Sequence, residues 1–506
     1  MQNLKKYLLL DSGLVVGYTL ENAQLKLNKL KKDTENNPLF GEEYFAENPK
    51  LWEVRFDNSY PNVIYDKELK LYRCWYQTFV SDEASEETPL AERGEKEYIV
   101  KSSRMTALCY AESKDGVKWE KPNLNLVKFK GSKDNNIVLM HAHGAGIMLD
   151  EQELDPKKRY KLVSKLEFSP NLHYMVVVFS EDGIHFDEPI PWKKWNPAAD
   201  SHNFPFRDPK TGKYAVITRT WANNVRLSAI TFSDDFINWS EPKEILRGDG
   251  FEDQIYSMPV ISYADIYLGF ASMYHEGDTL NENYDKVDLE LKFSANLEQW
   301  DSVCKGDYLI ERGGGVYPQN ADFDASCIFT AAPIIEDDKI WFFYMGGNGN
   351  HTGFRESSLA RGYIKKDQFA YYTNKREGIP AKISTVSFQT YDDEIYILAD
   401  IPENGYIKVA VGTKYGNAYS DFGQEDISLV QVSDGKYKLE FNKKSILDLG
   451  NSPVAFKFEI ENAKLYGLKV VFSNTISNIN QNNSLTNNLY ISGDRYIKWR
   501  SYYGKA

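Results

Sequence analysis

The sequence predicts an all-β protein, a five-bladed β-propeller followed by a C-terminal β-sandwich. Three observations predict it. Four segments repeat one local pattern, each copy follows two further strand-like runs, and after Tyr372 the pattern stops while strand-like runs continue.

The repeat is a short apolar run, a serine, an acidic or amide turn, then an aromatic. The copies are CYAESKDGVKWEKP (109–122), VVFSEDGIHFDEP (177–189), ITFSDDFINWSEP (230–242) and LKFSANLEQWDSV (291–303). Their serines, Ser113, Ser180, Ser233 and Ser294, recur every 53 to 67 residues, and 359–372 is a degenerate fifth copy. Ser and Asp close such a turn through side-chain bonds to the backbone, and Gly supplies positive φ. The motif therefore reads as scaffold, not as active site.

Two strands precede each copy. The clearest pair is FPFRDPKTGKYAVITRTW (204–221), two apolar runs joined by a D-P-x-x-G turn. Segments 60–76, 144–166, 260–274 and 329–347 repeat the arrangement. With a strand after the aromatic, each unit has about four strands, the size of a propeller blade. Five units span residues 53–372, and residues 1–52 read as an arm packing on the propeller. Runs such as EIYILAD, YIKVAVG and LYGLKVVF place a sandwich over 373–506, with an Asn-rich loop at 473–488.

Composition narrows the function. Lys and Arg number 60 against 73 Asp and Glu, a formal charge of −13, which disfavours nucleic acid and anionic membranes as partners. Aromatics reach 14%, which suits a β core and also the stacking of rings on sugars. The four cysteines form no CxxC pair, so neither a zinc site nor a disulfide framework is indicated. No apolar run approaches the roughly 18–20 residues a membrane helix needs. The N-terminal stretch mimics a signal peptide, but Asp11 breaks it and no A-x-A site follows, so the cytoplasm is favoured.

In a propeller the residues just before each innermost strand converge on the axis. Those positions hold Arg55, Asp57 and Asn58; His141 and His143; Asp200, His202 and Asn203; Glu252, Asp253, Gln254 and Tyr256; and Asp324. His275 and His351 follow second strands whose loops return to the same end, with Arg355 close behind. Five of the seven histidines thus fall around one expected funnel. His141 and His143 have a spacing that also suits a metal, but no carboxylate cluster matches them, and no metal or cofactor is expected. Cleavage of a glycosidic bond needs two flanking carboxylates, and a third can orient the sugar. Asp57, Asp200 and Glu252 supply that set from three blades, with Asp253 a rival for the last. The remaining residues named here are expected to bind a carbohydrate substrate.

The blocks WEVRFDNSYPNV (52–63), KDNNIV (133–138), DSHN (200–203), YSMPV (256–260) and GGNGNH (346–351) resemble those of bacterial proteins related to glycoside hydrolase family 32, in the clan of invertases, fructosidases and arabinanases. The resemblance implies a nucleophilic Asp in the first blade, matched by Asp57, a transition-state-stabilising Asp in the third and an acid/base Glu in the fourth. Asp208, in RDP, copies the family's letters for the second role, but it stands in a hairpin turn, and Asp200 is preferred. The W-M-N-D-P-N-G signature and the E-C-P block are absent. The expectation is a glycosidase. A phosphorylase using Arg55, His351 and Arg355 for phosphate, or a carbohydrate-binding propeller without activity, are the alternatives.

Overall fold

A computed structural model describes residues 3–472 apart from 11–13, 16–18, 102–103, 170, 388–391 and 451. The Asn-rich segment expected as a loop lies outside the described residues. The described chain is nearly all β. Its one α-helix is the single turn Glu83–Glu87, and Leu90–Glu95, Pro156–Lys158 and Ile446–Leu449 are short 3₁₀ turns.

Five antiparallel units follow one another. The first pairs Asn62–Asp66, Leu71–Ser81, Met105–Ser113 and Trp119–Glu120 in that order, and the second pairs Ala142–Leu149, Tyr160–Ser169, Leu172–Ser180 and Ile190–Pro191. The third pairs Phe204–Arg207, Tyr214–Ala222, Val225–Ser233 and Lys243–Arg247. In the fourth, Gln254–Ser257 and Val260–Tyr263 both pair Ile266–His275, followed by Lys286–Ser294 and Trp300–Ser302. In the fifth, Cys327–Thr330 pairs Lys339–Gly347, which pairs Ser357–Lys365. The outer strand there comes from the other end of the chain, because Lys31–Lys32 and Phe40–Gly41 pair with Ser357–Lys365.

The repeated motif does one job in four units. Ser113, Ser180 and Ser294 Oγ accept from the backbone three residues on, at Gly116, Gly183 and Leu297. Asp115, Asp182, Asp235 and Asn296 Oδ1 each accept two following amides. The turn requires positive φ, taken by Gly116 and Gly183 and, with no glycine, by Phe236 and Leu297. The indoles of Trp119, Trp239 and Trp300 close it by donating to the carbonyl three residues back.

The strands are apolar on both faces because each unit packs on two neighbours. Along Leu172–Ser180, Val176 and Val178 pack with Trp75 and Tyr110 of the first unit, whereas Met175, Val177 and Phe179 pack with Val216 and Trp239 of the third. Separate cores join the third unit to the fourth (Ile217 with Met273) and the fourth to the fifth (Phe270 with Phe342). A further core returns from the fifth unit to the first, bringing Phe343 and Met345 against Cys74 and Cys109. One cavity of about 400 Å³ touches every unit, through Val63, Met148, Phe206, Ile261 and Ala332.

Beyond the fifth unit, a seven-stranded sheet and a three-stranded sheet share one apolar core, including Ile397, Leu468, Val409 and Phe458. The larger sheet takes in two N-terminal strands, Asn3–Leu8 and Ala23–Leu27. The first 52 residues are therefore divided between the C-terminal sheets and the fifth unit. Cys74, Cys109 and Cys327 are buried free thiols and Cys304 is a half-buried one.

Candidate active site

The site begins in a strained turn. Asp57, Ser59 and Tyr60 all take left-handed backbone conformations, with φ of 55°, 52° and 43°. Such conformations are uncommon in residues other than glycine, and they persist where the surroundings over-determine them. Here Ser59 Oγ donates to the Gln77 carbonyl at 2.7 Å, and the Tyr60 amide bonds the Asn58 carbonyl. The turn delivers the Asp57 carboxylate to two arginines. Arg355 Nη2 donates to Asp57 Oδ1 at 2.7 Å, and Arg55 Nε and Nη2 reach the same oxygen at 3.1 Å each. Among the described residues nothing bonds Oδ2, and the Asp57 side chain remains 19% exposed. Burial alone would raise the Asp57 carboxyl, but Arg355 and Arg55 outweigh it and hold the group below the usual carboxylate range.

The connection to Asp200 runs through Tyr256. Asn58 Nδ2 donates to the Tyr256 hydroxyl at 3.1 Å, and the Arg219 guanidinium lies 4.0 Å from the Tyr256 ring centre. Arg219 reaches Asp200 Oδ2 at 3.3 Å, and the Trp221 indole donates to Oδ1 at 3.1 Å. Both oxygens of Asp200 are therefore held. Burial opposes its ionisation, yet Arg219 and the Trp221 bond keep its carboxyl below the ordinary value.

The fourth unit enters through Arg226, which lies 4.7 Å from the Tyr274 ring and 4.8 Å from the Trp221 ring. Arg226 Nη1 donates to Gln254 Oε1 at 2.9 Å and to Glu276 Oε2 at 3.3 Å, and Gln254 Nε2 donates to the same Glu276 oxygen at 2.6 Å. Glu276 keeps Oε1 without a partner among the described residues. Glu252 is exposed and lies over Gly277, and its carboxylate joins neither Asp57 nor Asp200 by any bond. Asp253 instead bonds His275 Nδ1 at 2.9 Å, while Asp288 takes Nε2 at 3.0 Å. Burial would lower His275, but the two carboxylates raise it to about 9.

The other expected residues divide. His351 sits between the rings of Tyr256 and Tyr274, at 4.9 and 4.7 Å, and its carbonyl accepts from Arg355. Burial and the Arg355 charge hold its imidazole neutral. His202 is buried and bonds Asn62 Oδ1 through Nε2 at 3.0 Å, and burial lowers it to about 3. Asn203 is buried and braces the Gly144, Ala199 and Ser201 carbonyls. His143 bonds Glu167 at 2.7 Å, whereas His141 stands just before the strand, at φ 64°, with its ring on Phe168. The two histidines thus go to different partners, and among the described residues no group of three His, Cys, Asp or Glu side chains is placed to hold a metal. Asp324 is buried away from this network, bonded to Lys32 and the Tyr344 hydroxyl, where it fastens the N-terminal strand to the fifth unit. Asp208 closes its hairpin by accepting from Thr211, the Lys210 amide and Tyr267.

Sequence reasoning passed over Arg219, Trp221, Arg226 and Glu276. A signal was present: Arg219 and Trp221 alternate at the end of an otherwise apolar strand, so both leave the same sheet face.

No protein-family model matches the chain, and no curated protein does. Solved structures are similar to it at low identity. An N-acetylgalactosamine deacetylase from F. plautii, in complex with blood group B trisaccharide, is 13% identical over 67% of this chain and 96% of its own, at a TM-score of 0.43. A glycosyl hydrolase from Bacteroides ovatus is 12% identical over 67% and 95%, at 0.45. A structure from work on the GH130 family of mannoside phosphorylases, described as containing glycoside hydrolases that target beta-1,2 mannosidic linkages in Candida mannan, is 12% identical over 67% and 95%, at 0.44.

Proposed function

We propose that the chain is a glycoside hydrolase acting on a small glycoside or oligosaccharide, with Asp57 as nucleophile or base and Asp200 as the orienting carboxylate. The unequal use of their oxygens carries this reading. Three arginine N–H groups converge on Asp57 Oδ1, which leaves Oδ2 free to attack a sugar carbon or to take a proton from a water that does. Asp200 has no free oxygen and is fixed at both. Ionised carboxylates of this kind suit attack and charge stabilisation, not proton donation. In this proposal the acid is a carboxyl of the fourth unit, with Glu276, which Arg226 and Gln254 tie into this network and whose Oε1 is open, a rival to Glu252.

The architecture we infer beneath the site is a five-bladed β-propeller over 53–372 and a β-sandwich over 373–506. Its support is the closed circuit of five cores between successive units, and a cavity that all five units line. Hydrolysis is favoured over phosphorolysis because two of the three expected phosphate ligands, Arg55 and Arg355, are buried and paired with Asp57, and the third, His351, is held neutral.

The test is a screen of the purified chain on aryl furanosides, aryl pyranosides and oligosaccharides, with and without phosphate. We expect phosphate-independent turnover that falls about 10³-fold in Asp57→Asn, within the range such groups contribute. Wild-type rates in both Asp57→Asn and Glu276→Gln would remove these residues from the mechanism. A rate that requires phosphate would make the chain a phosphorylase.

A further inference from the structure

We propose that Trp221 is a stacking platform for a pyranose ring of the substrate, so that the site takes an oligosaccharide with a flat C–H face beside Asp200. The inference rests on the glycosidase reading and deepens it by naming the sugar shape. Trp221 stands at the end of the third unit's central hairpin, two residues before the Asn223–Asn224 turn, where both asparagines have positive φ. It is 40% exposed, and it is the only described tryptophan in the exposed class. Trp75, Trp192, Trp239 and Trp300 are all buried.

Isolated exposed apolar residues are common on protein surfaces and by themselves imply nothing. What separates Trp221 is that its orientation is set twice. Its indole edge is tied to Asp200 Oδ1 at 3.1 Å. Its ring lies 4.8 Å from the guanidinium of Arg226, its cross-strand partner, and 5.7 Å from that of Arg219. Arg226 is in turn gripped by Gln254 and Glu276. A large aromatic surface is thus held open to solvent at a fixed angle to a carboxylate. Leaving such a ring exposed forgoes the free energy of its burial. A sugar returns that burial when the apolar C–H face of a pyranose with equatorial hydroxyls covers the indole. Its hydroxyls would then meet Asp200 at the ring's edge, on the face that Arg226 leaves uncovered.

The test measures binding and turnover separately. Isothermal titration of Asp57→Asn, chosen because its turnover is expected to be slow, uses tetrasaccharides of β-linked glucose, mannose and xylose and an arabinofuranose tetrasaccharide as probes. We expect at least one pyranose tetrasaccharide to bind. We expect Trp221→Ala, added to that variant, to weaken its binding at least tenfold, and Trp221→Phe to stay within threefold. In the otherwise wild-type chain, Trp221→Ala should raise KM at least tenfold, whereas Trp221→Phe, which loses the same indole bond to Asp200 but keeps an aromatic face, should keep KM within threefold. Equal binding with and without the indole would overturn the platform, as would binding of none of the four probes or preference for the furanose chain. If Trp221→Ala weakens binding but Asp57→Asn leaves turnover intact, the platform stands and the catalytic reading falls. If Asp57→Asn abolishes turnover and Trp221→Ala changes neither binding nor KM, the reverse holds.

Discussion

Arg355 and Asp57 lie 298 positions apart in the chain, and Nη2 of the first bonds Oδ1 of the second at 2.7 Å. The same Nη2 bonds Asn58 Oδ1 at 2.7 Å, so one buried guanidinium clamps two consecutive residues of the strained turn. The contact joins the fifth unit to the first, where the circuit of units closes.

Asp57→Asn tests the clamp as well as the chemistry. The amide leaves Arg55 and Arg355 buried beside a neutral group. Removing one partner of a buried ion pair costs about 3–5 kcal/mol, and the partial exposure of Asp57 puts the expected loss near the lower figure. Urea unfolding of the variant should show this loss alongside the loss of turnover. An Asp57→Asn variant as stable as wild type would mean that the clamp contributes nothing.

His275 predicts how stability depends on alkaline pH. Asp253 and Asp288 hold its folded value at about 9, above 6.5, so the folded state binds the extra proton. Its contribution is complete below about pH 6.5 and is lost as pH rises through 9. Arg312 bonds Asp288, and the Tyr308 hydroxyl approaches His275 Nε2, so both share this environment. The melting temperature should fall between pH 7 and 10 and should fall less in His275→Gln. Parallel curves for the two proteins would refute the assignment.

Glu42 makes a second prediction in the same window. Burial raises its carboxyl to about 8, and Oε1 accepts from the amides of Phe56 and Ser357. The protonated form is the one the fold prefers, so stability is full below about pH 4.5 and declines as pH rises through 8. Glutamine keeps the acceptor and removes the ionisation. Glu42→Gln should therefore melt higher than wild type at pH 9, with a smaller difference at pH 5, as followed by circular dichroism.

Asp235→Ala separates scaffold from site. It removes an acceptor serving the Ile237 and Asn238 amides in the third unit's repeat turn. The expected cost is about 1–3 kcal/mol in denaturant unfolding. kcat and KM should be unchanged, and a large fall in kcat at full stability would place the motif in the reaction.

The legible features were those that local chemistry repeats. A serine followed two residues later by Asp or Asn, then an aromatic, makes the same turn wherever it occurs, because the bonds run within a few residues. Ser113 and Asp115 showed this before any tertiary contact was known. The turn around Asp208 was readable for the same reason.

The fourth unit's carboxylate was not readable, since Glu252 and Glu276 lie on either side of one hairpin and only packing decides which meets Arg226. The outer strand of the fifth unit was hidden as well: Lys31–Lys32 and Phe40–Gly41 are too short to carry a pattern, and their partner is more than 300 residues away. The sequence alone determined most of the strands and the four repeated turns, because periodicity and side-chain capping act over a few residues. Which polar groups face one another was decided only by the tertiary structure. Ion pairs such as Arg355 with Asp57 and Arg226 with Glu276 depend on where five sheets lie against one another, and nothing local encodes that.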